Sequence, residues 1–215
     1  MLIVPPKLML NLQVTVAVAP SRGRHGRRVT QFPSRKNDRV MGCDSLLEAD
    51  FCLLLERNPN IRSYTTQPCT IELLTPRSRY TPDFEVIYQS GKIAHYEIKH
   101  DNKYNSSRNV ARRHLYEPIF TECGSFLKTI KQTEIQQAGA DSDLKKLYWY
   151  SFGAVAAQAN LLAKSLPTTA EEARTIGELL GRGYRMQEIA YALFYRMLFR
   201  VDTGPVHLGS KIISH

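Results

Sequence analysis

The chain has 215 residues, of which 43% are hydrophobic and 23% charged. These values exclude wholesale disorder and fibrous repeats, and they leave room for one or two domains with a real core. Lys and Arg number 29 against 20 Asp and Glu, a net charge of +9. That excess favours a polyanionic partner, such as nucleic acid or a membrane surface, and says nothing of fold.

No apolar run reaches the length of a membrane span. The N-terminal stretch loosely mimics a signal peptide, but Pro5, Pro6, Lys7, Asn11 and Gln13 interrupt it. Cys43, Cys52, Cys69 and Cys123 are scattered, with no CxxC pair to suggest zinc and too few thiols for a disulfide scaffold. A cytoplasmic protein with reduced cysteines and no membrane partner is expected.

In chain order, residues 12–18 suggest one short strand. Arg22, Arg24, Arg27, Arg28, Arg35, Lys36 and Arg39 then crowd a Gly- and Pro-containing stretch opposed only by Asp38. Residues 1–44 therefore read as a basic arm: a solvated linker, or a segment whose cations contact DNA phosphates. Ser45 is the expected N-cap of a helix with Glu48 at its third position, and Leu46, Leu47, Phe51, Leu54 and Leu55 form its apolar face. The helix ends near Asn58-Pro59-Asn60. Residues 61–74 read as a strand broken at Pro68, 80–89 as a second strand, Ser90-Gly91 as a turn and 92–99 as a third strand.

Residues 104–119 predict a helix with Arg108, Arg112 and Arg113 on its polar side. A strand within 126–136 and helices over 144–150 and 154–165 follow. Thr168 or Thr169 is the expected cap of a helix through Leu180, with Ala173, Ile176, Leu179 and Leu180 inward. Gly181 and Gly183 form a turn, and a helix from about Arg185 to Leu198 carries Ile189, Leu193 and Met197. The tail suggests a hairpin. This order fits a winged-helix module, and a plain helical hairpin nearly as well.

The chemistry concentrates in Thr81-Pro82-Asp83-Phe84 and, one hairpin turn later, Glu97-Ile98-Lys99. Side chains alternate along a strand, so Glu97 and Lys99 share one face while Tyr96 and Ile98 take the other. Pairing through the Ser90-Gly91 turn puts residues whose numbers sum to about 181 opposite one another, which brings Asp83 alongside Ile98. A one-residue shift of register decides the face. Asp83, Glu97 and the Ile98 carbonyl are hard oxygen donors suited to Mg²⁺. Such an ion generates a nucleophile from water and offsets phosphoryl charge, and Lys99 is placed to orient the attack or contact phosphate. Glu48 is the candidate fourth acid.

Each residue also has an ordinary explanation. An isolated E-x-K is commonly two solvated charges, a Pro-Asp pair commonly a turn, and an acid at the third helical position commonly a cap. His95 shares the Glu97 face and reads as a surface or hairpin residue. His100 is a candidate phosphate contact, and Gln67-Pro68, on the first strand, is expected to pack beside the site in a structural role. Tyr148, Trp149 and Tyr150 read as core. The order of elements, rather than any one residue, carries the case.

At residues 34–51 (SRKNDRVMGCDSLLEADF), 65–68 (TTQP), 80–84 (YTPDF) and 95–100 (HYEIKH), the chain resembles the PD-(D/E)xK nuclease superfamily, and more narrowly the TnsA-type endonuclease subunit of heteromeric bacterial transposases. Residues 133–137, 144–150 and 199–212 give a weaker echo. The resemblance implies an α/β, restriction-endonuclease-like core of helix, three-stranded antiparallel meander, helix and strand over residues 45–150. A small helical or winged-helix-like domain over 151–215 would follow. It implies catalytic Glu48, Asp83, Glu97 and Lys99, with Mg²⁺ (Mn²⁺ as substitute) held by the three acids and the Ile98 carbonyl.

The implied activity is cleavage at the 5′ ends of a transposon. The implied partners are double-stranded DNA, an integrase-like transposase subunit that cuts and joins the 3′ ends, and an AAA+ ATPase regulator. The short C-terminal region is also suggestive of members that work with an RNA-guided targeting complex. Arg22, Arg24, Arg27, Arg28, Arg35, Lys36, Arg39, His100, Arg108, Arg112 and Arg113 are the candidate DNA contacts. The rivals are a stand-alone restriction- or resolvase-like nuclease and a non-catalytic DNA-binding scaffold of the same fold.

Overall fold

The computed structural model describes residues 2–16, 29–139 and 142–214, which divide into two compact units, Met1–Ala138 and Gly139–His215. The architecture is mixed α/β with several antiparallel sheets, compatible with the α/β class expected from sequence. Among the described residues, no helix is long and apolar enough to cross a membrane.

The first unit begins with α1 (Pro6–Met9), β1 (Leu12–Val16), β2 (Thr30–Ser34) and β3 (Arg39–Cys43). The segment read as an arm thus carries three strands. β2 and β3 form an antiparallel hairpin with Phe32, Ser34, Met41 and Cys43 buried. Two-residue alternation of inward side chains holds this hairpin to the core, and the basic residues around it masked that signal. Arg22, Arg24, Arg27 and Arg28 lie outside the described residues.

Helix α2 (Leu46–Arg57) starts where expected. Ser45 Oγ accepts the Glu48 N–H at 3.2 Å. Leu46 is exposed, whereas Leu47, Phe51 and Leu55 are buried. Phe51 meets Phe84 and Tyr96 with ring centroids 5.2 and 5.5 Å apart, which seats α2 on the sheet that follows.

That sheet takes its strands in the order β4 (Ile61–Thr66), β7 (Phe84–Tyr88), β8 (Ile93–Lys99) and β9 (Leu127–Lys131). β4, β7 and β8 pair antiparallel, the expected meander, and β9 joins parallel to β8 after the crossover through α3 (Asp101–Tyr104) and α4 (Ser107–Glu122). The expected 61–74 strand is two strands. At Gln67-Pro68 the chain leaves this sheet for β5 (Cys69–Leu73), which pairs with β1 and with β6 (Ser78–Tyr80). Leu12, Ile71, Leu73, Tyr80, Tyr116 and Phe120 form the core beneath that second sheet. α5 (Gln132–Gln137) follows β9.

The second unit contains α6 (Ser142–Tyr150), α7 (Ala156–Ser165), β10 (Arg174–Thr175), α8 (Ile176–Gly181), α9 (Met186–Phe194), β11 (Leu198–Arg200) and β12 (Lys211–Ser214). α6, expected within the core domain, belongs here. The helix expected from Thr168 or Thr169 starts later, because Thr175 and Glu178 form a capping box and residues 174–175 pair with β12. Ala173 precedes that helix. Leu198 lies in a strand, so the last helix is shorter than expected. The tail hairpin is present as β11–β12. Ala159, Leu162, Ile176, Leu179, Ile189 and Leu193 build this unit's core. Tyr148 joins Phe194 at 4.8 Å, but Trp149 and Tyr150 are exposed, contrary to the core role expected of all three.

Candidate active site

The β7–β8 register decides the site. Phe84 pairs with Tyr96 and Glu85 with His95, one residue from the alignment expected from the turn. Asp83, just before β7, is clamped to the same strand. Its N–H donates to the Tyr96 carbonyl at 3.0 Å, and its Oδ2 accepts the Ile98 N–H at 2.6 Å. The carboxylate therefore lies at the mouth of the β7–β8 ladder, beside the E-x-K strand.

β8 is a central strand buried over Ala94–Ile98, and it sends Glu97 and Lys99 to one face. Glu97 is almost enclosed, yet both its oxygens are engaged. Oε2 accepts the Tyr80 hydroxyl at 2.7 Å, and Oε1 accepts Arg112 at 3.2 Å and the Lys99 ammonium. Lys99 Nζ is also 3.8 Å from Asp83 Oδ2 and donates to the Ile98 carbonyl at 3.0 Å. One ammonium thus gathers two carboxylates and the carbonyl expected as a ligand.

Glu48 arrives from α2 but faces its own cap. Oε1 accepts Ser45 Oγ and Oε2 accepts the Asp44 N–H, both at 2.9 Å. The ordinary capping role is therefore realised, while its charge still bears on Asp83 and Lys99. Burial raises the Glu48 carboxyl above the ordinary range. Burial, and then the Glu97 charge, raise Asp83 well above it, against the opposing pull of Lys99. The Asp83 side chain is 20% exposed, so it still reaches solvent. Tyr80 is likewise pushed up by burial and by Glu97, and it stays a hydroxyl donor.

Among the described residues, no three His, Cys, Asp or Glu side chains are set to hold a metal. The smaller donor set of Asp83, Glu97 and the Ile98 carbonyl nevertheless suits magnesium, which uses one or two carboxylates and keeps several waters. An aspartate raised by burial and by a neighbouring carboxylate, with one lysine beside it, is also the electrostatic setting that a divalent cation relieves.

The basic candidates separate. Lys36 turns inward: it donates to the Asn58 and Ile61 carbonyls, and burial lowers it to about 8. It anchors the β2–β3 hairpin to the end of α2 instead of offering a free cation. Arg39 reaches Thr65 Oγ1 at 3.4 Å, and His100 meets Gln132 at 2.8 Å. Arg113 donates to the Tyr104 carbonyl and lies over that ring. Arg35 has contacts of its own. Arg108 is exposed at the start of α4. Arg112, a candidate contact to DNA backbone, ion-pairs with Glu97.

His95 is fully buried, bonded to Ser125 Oγ at 2.8 Å and 3.3 Å from Glu85, so it is neither a surface residue nor part of the carboxylate cluster. Its bond holds the Glu85 carboxyl below the ordinary range. Tyr80 is the site residue that sequence reasoning passed over. It lies in the YTPDF segment, but nothing local reveals that its hydroxyl reaches Glu97. No family model matches the chain, and no curated protein matches it.

Proposed function

We propose that the chain is a Mg²⁺-dependent DNA endonuclease of the PD-(D/E)xK type, acting as the TnsA-like subunit that cleaves the 5′ ends of a transposon. The carrying observation is that Asp83, Glu97, Lys99 and the Ile98 carbonyl meet at one point, with the Glu48 charge close by. The sequence of α2, meander, α4 and parallel β9 supports a restriction-endonuclease-like core. In the second unit, from α7 onward, helix, strand, two helices and two strands, with strand order β10-β12-β11, support a winged-helix reading.

Asp83, Glu97 and the Ile98 carbonyl would hold the magnesium ion. When bound, the ion supplies a nucleophile from water near neutral pH and offsets charge on the phosphoryl group. Asp83 keeps its place through two backbone bonds to β8. Tyr80 and Arg112 hold the Glu97 carboxylate in one orientation. Lys99 is the cation poised to donate to the phosphate oxygen on which charge grows. The proposed partners are those implied by the resemblance: duplex transposon ends, an integrase-like transposase subunit, an AAA+ regulator and an RNA-guided targeting complex. Exposed Arg108 and the net charge of +9 suit a DNA backbone.

The test is Asp83→Ala, read by excision at the native locus and by plasmid nicking with purified chain and Mg²⁺ or Mn²⁺. A loss of about 1000-fold or more is expected, the scale of removing a central electrostatic group from a metal-assisted site. Persistent excision and nicking would establish the scaffold alternative.

A further inference from the structure

The chain passes between the four-stranded sheet and the β1-β5-β6 sheet of the first unit at two neighbouring points. β4 gives way to β5 through Gln67-Pro68, and β6 gives way to β7 through Thr81-Pro82-Asp83. The crossings are tied together. The Gln67 N–H donates to the Asp83 carbonyl at 2.8 Å, and the Thr70 and Thr81 hydroxyls meet at 2.7 Å. The backbone of Gln67 is therefore tied to that of Asp83.

Its backbone is held against two local preferences. With φ of 46°, Gln67 occupies the left-handed region, which Gly or Asn adopts far more readily. It also precedes a proline, whose ring drives the residue before it toward extended, negative φ. The residue is 8% exposed. Among the described residues no protein group bonds its side-chain amide, and the amide is not among the buried polar groups left without a partner, so it meets solvent. A glycine would satisfy the crossing without strain. Strained backbone persists where the surroundings over-determine it, and it collects where a ligand is held.

We propose that Gln67 is a substrate-contacting residue of the nuclease site, its amide donating to a phosphate oxygen of the DNA strand held at Asp83. This rests on the nuclease reading and adds a residue to it. The amide is a neutral donor, so it holds phosphate without adding to the charge balance among Asp83, Glu97 and Lys99.

The experiment uses the full-length chain with Gln67→Gly and Gln67→Asn, beside Asp83→Ala, in the same excision and nicking assays. Thermal unfolding is measured without metal or DNA. Gln67→Gly is expected to keep the parent midpoint or exceed it by up to about 4 °C, because it relaxes the backbone. The same variant is expected to lose cleavage by about tenfold or more, the scale of removing one oriented donor. Gln67→Asn tolerates the same backbone and keeps an amide, so it recovers part of that loss. Cleavage by Gln67→Gly at the parent rate, or a midpoint well below the parent, overturns the inference. If Asp83→Ala is inert while Gln67→Gly is fully active, only the role of Gln67 falls. If both cleave like the parent, the nuclease reading falls as well.

Discussion

Two carboxylates of the first unit, Glu56 and Asp83, are shielded by the same fold and treated in opposite ways. Glu56 is fully buried at the end of α2 and fully satisfied. It accepts Ser34 Oγ, the Tyr64 hydroxyl at 2.8 Å and the Lys36 N–H at 3.3 Å, and the Lys36 chain crosses to two carbonyls nearby. Burial and the adjacent Glu56 push the Tyr64 hydroxyl far above its ordinary range, so it remains a donor. Asp83 has one backbone donor at its carboxylate, one lysine 3.8 Å away, and Glu97 and Glu48 as acidic neighbours. The first arrangement closes a hairpin onto a helix. The second crowds acids around Asp83 and raises its carboxyl, which a stability-driven arrangement would avoid. The contrast separates an acid satisfied by its neighbours from one that is not, although both read simply as buried carboxylates.

Lys99→Ala gives the largest expected separation. It removes the ammonium that gathers Asp83 and Glu97, and cleavage should fall by about 1000-fold in the nicking assay. Retention of cleavage would mean that the acids act without it. Glu56→Ala tests the other side. It strands the Ser34, Tyr64 and Lys36 donors, and urea unfolding should show a loss of about 2–4 kcal/mol. Cleavage per folded molecule should stay at the parent level, and a specific loss of rate would erase the distinction between the two acids.

The smallest expected effect concerns pH. A carboxyl whose folded pKa lies above its unfolded value keeps its proton more tightly in the folded chain. It therefore costs stability as pH rises from the ordinary Asp range through the raised value. In EDTA, Asp83→Asn removes that cost while keeping an acceptor for the Ile98 N–H. The variant should be the more stable protein near pH 8, on the order of 1 kcal/mol, and the gain should vanish near pH 4. An equal stability at both pH values would show Asp83 to be as well neutralised as Glu56.

Much of the frame around Asp83 was legible in advance. Ser45 and Glu48 sit three apart before an apolar face, Ser90-Gly91 separates two alternating runs, and Pro68 interrupts a third. The β2–β3 hairpin was not read, although Phe32, Met41 and Cys43 alternate inward, because Arg35, Lys36 and Arg39 drew attention to charge. The Thr175–Glu178 box was also available and lost to earlier threonines. Lys36, Arg112 and His95 show the other kind of miss. Their roles depend on Asn58 and Ile61, on Glu97, and on Ser125 and Glu85, partners that nearby sequence does not announce.

By itself the sequence determined the caps, the strand alternation and the set of chemical groups able to do phosphoryl chemistry, because these depend on neighbours a few residues away. Only the tertiary structure decided which of those groups meet. A single residue of register between β7 and β8, and the placement of α4 over Glu97, put Asp83 and Arg112 within reach of the E-x-K strand. Electrostatic attraction fades over a few ångströms, so the choice of partner belongs to packing between distant segments.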